Sequence, residues 1–172
     1  MECLENRIGI RGCGVDESGA QLFINDLPGV SLQNIDALVD EEDETFLVLW
    51  NKVSMRAMKK FDVLVKAQLN KCYKITDNTV VTCLICEKKE LFDVALWYLF
   101  GTELMIERTS SDTISRYTTI DLDKAEQLKA EFYSEFQSSL QDAVDGINPE
   151  DSDCVTDCVE CNDTVKFVMQ VP

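Results

Sequence analysis

KKELFDVALWYLFGTELMIER, Lys88 to Arg108, reads as a helix with almost no polar side. Leu91, Phe92, Val94, Ala95, Leu96, Trp97, Tyr98, Leu99, Phe100, Leu104, Met105 and Ile106 point around the whole circumference. A helix that is apolar nearly all round is either central in a core or covered by a partner. Its apolar run from Val94 to Phe100 is too short to span a bilayer. Either way the helix needs cover on every side, and the flanking sequence offers two amphipathic helices that can supply some of it.

Upstream, a helix is predicted from about Asp43 to Lys71. Phe46, Trp50, Val53, Ala57, Phe61 and Leu64 recur at steps of three and four, as in a core-facing stripe. Downstream, Asp121 to Asp145 carries Leu122, Ala125, Leu128, Phe132, Phe136, Leu140 and Ala143 on one stripe. Gly146 ends that helix and Pro149 follows. Residues 73–82, YKITDNTVVT, read as a short hairpin turning at Asp77-Asn78. Pro28-Gly29 is a type II turn signal, and Ser31 can cap a short helix bearing Leu32, Ile35, Leu38 and Val39. The predicted class is mainly α: a bundle of three to four helices with a small β component and extended arms at both ends. Residues 1–30 form the N-terminal arm, 31–147 the helical core, and 148–172 an acidic C-terminal tail. The arms hold two strand-like pieces, Leu22 to Ile24 and the alternating Val165, Phe167, Met169 and Val171. A lone strand needs a partner, and at least one of these is expected to pair with another subunit.

The composition narrows the chemistry. The 172 residues hold 32 acids and 16 bases, a formal net charge of −16, and no histidine. A phosphate clamp needs clustered cations, so nucleic-acid binding and adhesion to an anionic membrane are disfavoured. The missing imidazole removes the usual general base, the histidine-dependent triads and every histidine-containing metal site. No phosphate-loop or dinucleotide fingerprint is present, and no catalytic set emerges, so the chain is not expected to be an enzyme. The start, MECLENRIGIRG, lacks the basic and apolar regions of a signal peptide. A reducing cytosol is the expected place of synthesis, with the eight cysteines as thiols or metal ligands before disulfides. Cys83, Cys86, Cys158 and Cys161 form two C-x-x-C pairs and are the candidate zinc ligands. Their wide separation is unlike a compact zinc ribbon. Unligated, partly buried thiols and no cofactor are the favoured expectation.

Charge is segregated along the chain. Asp40, Glu41, Glu42, Asp43 and Glu44 stand ahead of the first long helix, and Lys52, Arg56, Lys59 and Lys60 lie on one broad face within it. Acids at the start and bases toward the end both complement the helix macrodipole, each by about 0.3–1 kcal/mol. The same pattern suits side-by-side packing of copies, with the acidic patch of one against the cationic face of the next. These nine residues, with Phe167 and Met169 of the tail strand, are the expected subunit interface.

The stretch LFINDLPGVSLQNIDALVDEEDETFLVLWNKVSMRAMKKFDVLV resembles the N-terminal region of virion proteins of crAss-like and related tailed phages of Bacteroidetes. The likeness is carried by Ile24, Asn25, Leu27, Pro28, Gly29, Ser31, Leu32, Trp50 and Asn51, and less specifically by RYTTID at 116–121. It covers the first 71 residues well and the rest loosely. It implies a ring or connector subunit of the head-to-tail or tail-barrel assembly, made in the host bacterial cytoplasm and ending up in the virion. Copies of the chain, about twelve by analogy with tail machinery, would surround the DNA channel beside portal-proximal and other tail ring proteins. DNA would pass without specific binding, helped by acidic charge, and no membrane would be involved. The alternatives are a small acidic regulatory protein of DNA-mimic or anti-repressor type, and a zinc or redox cysteine protein.

Overall fold

Helix α1 (Glu44–Tyr73) starts the body with an unbroken four-residue repeat of buried side chains: Leu49, Val53, Ala57, Phe61, Val65 and Leu69. Residues i and i+4 stack on one helical face, so this row forms a single ridge for a neighbour to pack against. The neighbour is α3 (Lys89–Ser110), which also packs most extensively against α4 (Leu122–Asp145). The computed structural model describes residues 4, 8–9, 22–23, 27–30, 44–110, 118, 120–149 and 152–154. Among these the architecture is mainly helical, as the periodicity predicts.

The central helix is the one the sequence marks as apolar all round. Phe92, Leu96, Phe100 and Leu104 lie on one buried row of α3, and Ala95 and Leu99 on another. The core is continuous in character but falls into two clusters. One joins Trp50 and Val53 of α1 to Phe100 of α3 and Phe132 of α4; Trp50 and Phe100 have ring centroids 4.7 Å apart. The other joins Phe61 to Phe92, edge to face at 6.3 Å, and includes Leu4 and the apolar face of α2 (Asn78–Glu87). Burying each such large side chain stabilises the fold by about 1.5–3 kcal/mol.

The hairpin expected at 73–82 is not formed. Asp77 caps α2, its carboxylate accepting from Thr79 N at 2.7 Å and Val80 N at 3.4 Å. The run of β-branched residues from Thr79 to Thr82 suggests a strand, but burial decides. Val80, Val81, Leu84 and Ile85 share one helical face in the second cluster, and tertiary packing overrides a weak local preference. Before it, Lys74 takes a left-handed φ of 61° and its N–H donates to Asn70 O at 2.9 Å, which ends α1.

The Pro28-Gly29 turn forms as expected. Gly29 has φ 77°, and Val30 N donates to Leu27 O at 3.1 Å. The turn is driven into the body. Leu27 is 2% exposed, and its Cδ1 lies 2.6 Å from where a Cβ on Gly101 would stand, with the Phe132 ring 3.0 Å away. Gly101 is therefore a notch in α3 into which Leu27 fits, and this accounts for a glycine in a helix interior. Gly146 acts similarly at the end of α4. Its φ of −76° is ordinary, but a Cβ there would meet Leu91 Cδ1 at 2.9 Å.

The β component is small. β1 (Ile8–Gly9) pairs in parallel with β2 (Leu22–Phe23), with Ile8 opposite Leu22. The Leu22 segment thus finds its partner within the chain. The short helix expected from Ser31 and the tail strand at 165–171 lie outside the described residues. No helix among those described is long and apolar enough to cross a membrane.

Candidate interaction surface on α1

The cationic row of α1 does not all face solvent. Lys52, Arg56 and Lys60 recur every fourth residue, and so do Glu103 and Glu107 on α3, continuing the row of Ala95 and Leu99. The helices run antiparallel, so the two rows interleave. Lys52 Nζ donates to Glu107 Oε1 at 3.0 Å, and Arg56 Nη1 to Glu107 Oε2 at 2.9 Å. Arg56 Nη2 donates to the carbonyl of Glu103 at 3.3 Å, and Lys60 Nζ pairs with Glu103 Oε1. Arg56 Nε stands 3.2 Å from Glu103 Oε2, close enough for an ion pair but off the hydrogen-bond direction.

Exposure within this ladder is lopsided. The side chains of Glu103 and Glu107 are 2% and 4% exposed, while those of Lys52 and Lys60 are 57% and 52% exposed. The lysine side chains stay about half in water, whereas the carboxylates are carried inside. A buried carboxylate left without a partner costs several kcal/mol, and an exposed ammonium left alone costs little. The bases are thus there for the acids. Sequence reasoning did not pick out Glu103 and Glu107. The available signal was two acids four residues apart inside an apolar helix, a spacing matched by the bases of α1.

Of the residues expected at the subunit interface, the structure therefore commits Lys52, Arg56 and Lys60 within the chain. Lys59 is different: it is exposed and forms no ion pair among the described residues. Glu44 begins α1, and Asp40 to Asp43 lie outside the described residues, as do Phe167 and Met169.

Beside Lys59 is a groove of about 530 Å³ between α1, α3 and α4. Val63, Leu64, Leu99, Ile106 and Tyr133 give it apolar walls, and Lys59, Lys60, Thr102 and Glu103 supply its polar atoms. The Thr102 hydroxyl is turned to its own helix, donating to Tyr98 O at 2.9 Å. The outward side of α1 carries further exposed apolar side chains. Val48 is 66%, Met55 58% and Val63 64% exposed, the three most exposed large apolar side chains described. At 100° per residue they lie within about 80° of one another, opposite the core-facing Ala57.

The cysteines depart from the expectation of free thiols. Cys83 of α2 is joined to Cys154 in a disulfide, with Cα atoms 5.6 Å apart. Cys86 is also disulfide-bonded, and Cys72 is a free, exposed thiol. A disulfide sulfur is no thiolate ligand, so Cys83 and Cys86 are not available to zinc in this state; Cys158 and Cys161 lie outside the described residues. Among the described residues no group of three or more candidate ligands is gathered for a metal. The disulfide is a tie for the returning chain. Ser152 donates to Glu87 Oε2 at 2.6 Å and Cys154 is buried, so residues 152–154 are held against α2. The Ser152 hydroxyl first, and Lys88 second, hold the Glu87 carboxyl below the usual carboxylate range. At the same end of the bundle the Tyr73 hydroxyl lies 2.9 Å from both Val144 O and Ile147 O. Burial, then the nearby Cys72 and Asp145, push the Tyr73 phenol up.

No family model matches the chain, and neither does any curated protein or solved structure.

Proposed function

We propose that the chain is a structural subunit of a tailed phage virion, a ring or connector component of the head-to-tail or tail-barrel assembly. The observation that carries this reading is the outward face of α1. Val48, Met55 and Val63 are widely exposed on one side of a helix whose opposite side is fully used in the core. Exposed apolar side chains on one helical face, with Val63 opening into an apolar groove, suit a site of protein association. The resemblance of the N-terminal region to crAss-like phage proteins names the kind of assembly. The LPG motif that carries much of that resemblance is an anchor here: its turn plugs Leu27 onto Gly101 and fixes where the N-terminal arm meets the body. The net charge of −16 suits a wall along which DNA must move without sticking. In this reading the chain is no enzyme and needs no cofactor.

Mass spectrometry of purified phage particles tests the proposal. The chain is expected in fixed proportion to the tail proteins, and its absence from intact particles would overturn the reading. One observation favours the alternative of an acidic regulatory protein: α4 carries six acids against two lysines. Such a regulator would be found in the infected cell and not in the particle, so the same measurement separates the two.

A further inference from the structure

Three features of α1 constrain what can cover its outward face. The first is apolar surface, from Val48, Met55 and Val63, leading into the groove lined by Leu64, Ile106 and Tyr133. The second is charge. Lys59 is an exposed cation with no ion pair among the described residues, and the side chains of Lys52 and Lys60 are about half exposed although each also meets a buried carboxylate. Two such faces brought together would set lysine near lysine, which disfavours docking of α1 on the α1 of another copy. The occupant must be apolar on one side and acidic beside it.

The third feature is that this chain contains such a piece. SLQNIDALVDEED, 31–43, has Ile35, Leu38 and Val39 at helical spacing, with Asp36 and the run Asp40 to Asp43 around them. We propose that residues 31–43 of one copy dock in trans on the α1 face and groove of the next. The apolar residues would cover Val63 and the groove, and the last acids would reach Lys59. This deepens the ring reading and rests on it for the closed symmetry.

Chain geometry keeps the last two acids away from the Lys59 of their own chain. Glu42 can lie at most about 7 Å from Glu44 along the backbone. Lys59 stands fifteen residues into the helix from Glu44, about 22 Å away. The gap of about 15 Å is too wide for one ion pair, so Glu42 and Asp43 meet Lys59 only on another molecule. The contact is heterologous: each copy offers a segment on one side and a groove on the other, the arrangement that propagates into a ring or a filament.

The experiment uses the full-length chain in sedimentation velocity and native mass spectrometry. The unaltered chain is expected to associate beyond the monomer. Val63→Glu and Lys59→Glu block the groove at exposed positions, and circular dichroism checks that the helices remain. Val63→Glu should lower the association constant more than about tenfold. Glu41→Lys, Glu42→Lys and Asp43→Lys together block the segment. Each of these proteins alone is expected to be monomeric. Mixed in equal amounts, the Lys59→Glu protein and the segment-reversed protein should associate again, one contact carrying the native charges and the other the same charges exchanged. A monomeric unaltered chain, or a mixture that stays monomeric while the unaltered chain associates, overturns the docking. If the chain forms a closed ring that none of these changes disturbs, the ring reading stands and the docking falls. If the mixture associates but the chain is absent from virions, the docking stands and the ring reading falls.

Discussion

Replacing Arg56 by alanine should destabilise the protein more than replacing Glu103 by leucine, although both break the same ladder. Arg56 meets both buried carboxylates, at 2.9 Å to Glu107 and 3.2 Å to Glu103, and also reaches the Glu103 carbonyl. Without it each carboxylate keeps one lysine. Removing the whole partner of a buried ion costs about 3–5 kcal/mol; partial loss here should cost about 2–3 kcal/mol, the lower end of that range and just below it. For a protein of this size that lowers Tm by about 5–10 °C. Glu103→Leu instead removes a buried charge and leaves Lys60, already half in water, free to turn outward, while Arg56 keeps Glu107. Its cost should be no more than about 1 kcal/mol. Urea unfolding at neutral pH of both variants and the double variant provides the measurement. The coupling between the two positions should be favourable and the order of the single effects as stated. Equal costs, or a larger cost for Glu103→Leu, would refute the view that the bases serve the buried acids. The same reasoning means that a charge reversal at Lys60 perturbs the monomer itself, so Lys59 is the clean position for testing assembly.

Gly101→Ala should lose about 1–3 kcal/mol despite the better helix propensity of alanine, because the new methyl group meets Leu27 and the Phe132 ring; adding Leu27→Ala should make the Gly101→Ala change cheaper, as read by thermal melting. Breaking the Cys83–Cys154 disulfide, which closes a separation of 71 residues, should lower stability by about 4 kcal/mol on the chain-entropy account; denaturant titrations with and without a thiol reductant measure it, and Cys154→Ser should shrink the difference to what the Cys86 disulfide contributes. The raised Tyr73 phenol has a definite sign in pH dependence. Its stabilising contribution is complete below the ordinary tyrosine value and is lost as pH rises toward the folded value, since the unfolded chain ionises first. Tyr73→Phe should therefore flatten the alkaline side of the stability profile and cost about 1 kcal/mol at neutral pH for the lost hydrogen bonding.

The parts of this fold legible in the sequence are those where burial follows the helical period. Val53, Ala57 and Phe61, and likewise Phe132 and Phe136, announce their faces because a long helix repeats its environment every turn. Asp121 and Gly146 mark the ends of α4 by cap chemistry and by a close contact. Helix α2 was illegible because its ten residues are rich in Thr and Val, so short-range preference pointed to a strand while the core demanded a helix. β1 carries no pattern at two residues. The disulfide partner of Cys83 is a fact of three-dimensional proximity that spacing cannot supply. The ladder was half legible: the bases stand out on α1, but their partners lie on another helix, and the reading assigned those bases to a neighbouring subunit.

The seating of Leu27 against Gly101 has a consequence for the order in which the chain acquires its structure. The α3–α4 pair is close in sequence, joined by one connection that Arg108 braces through Ile120 O at 2.8 Å. The notch for Leu27 is complete only when that pair exists, because Gly101 comes from one helix and Phe132 from the other. Loop closure grows costlier with the length of chain enclosed, so the helical pair should be the nucleus and the Leu27 turn a late arrival. On a ribosome the turn would emerge first and wait for its seat until α4 is made. Mutations at Leu27 should then speed unfolding while leaving the folding rate nearly unchanged, and mutations at Phe132 should slow folding. The arm ahead of the turn would thus be fixed to the body in the last steps of maturation.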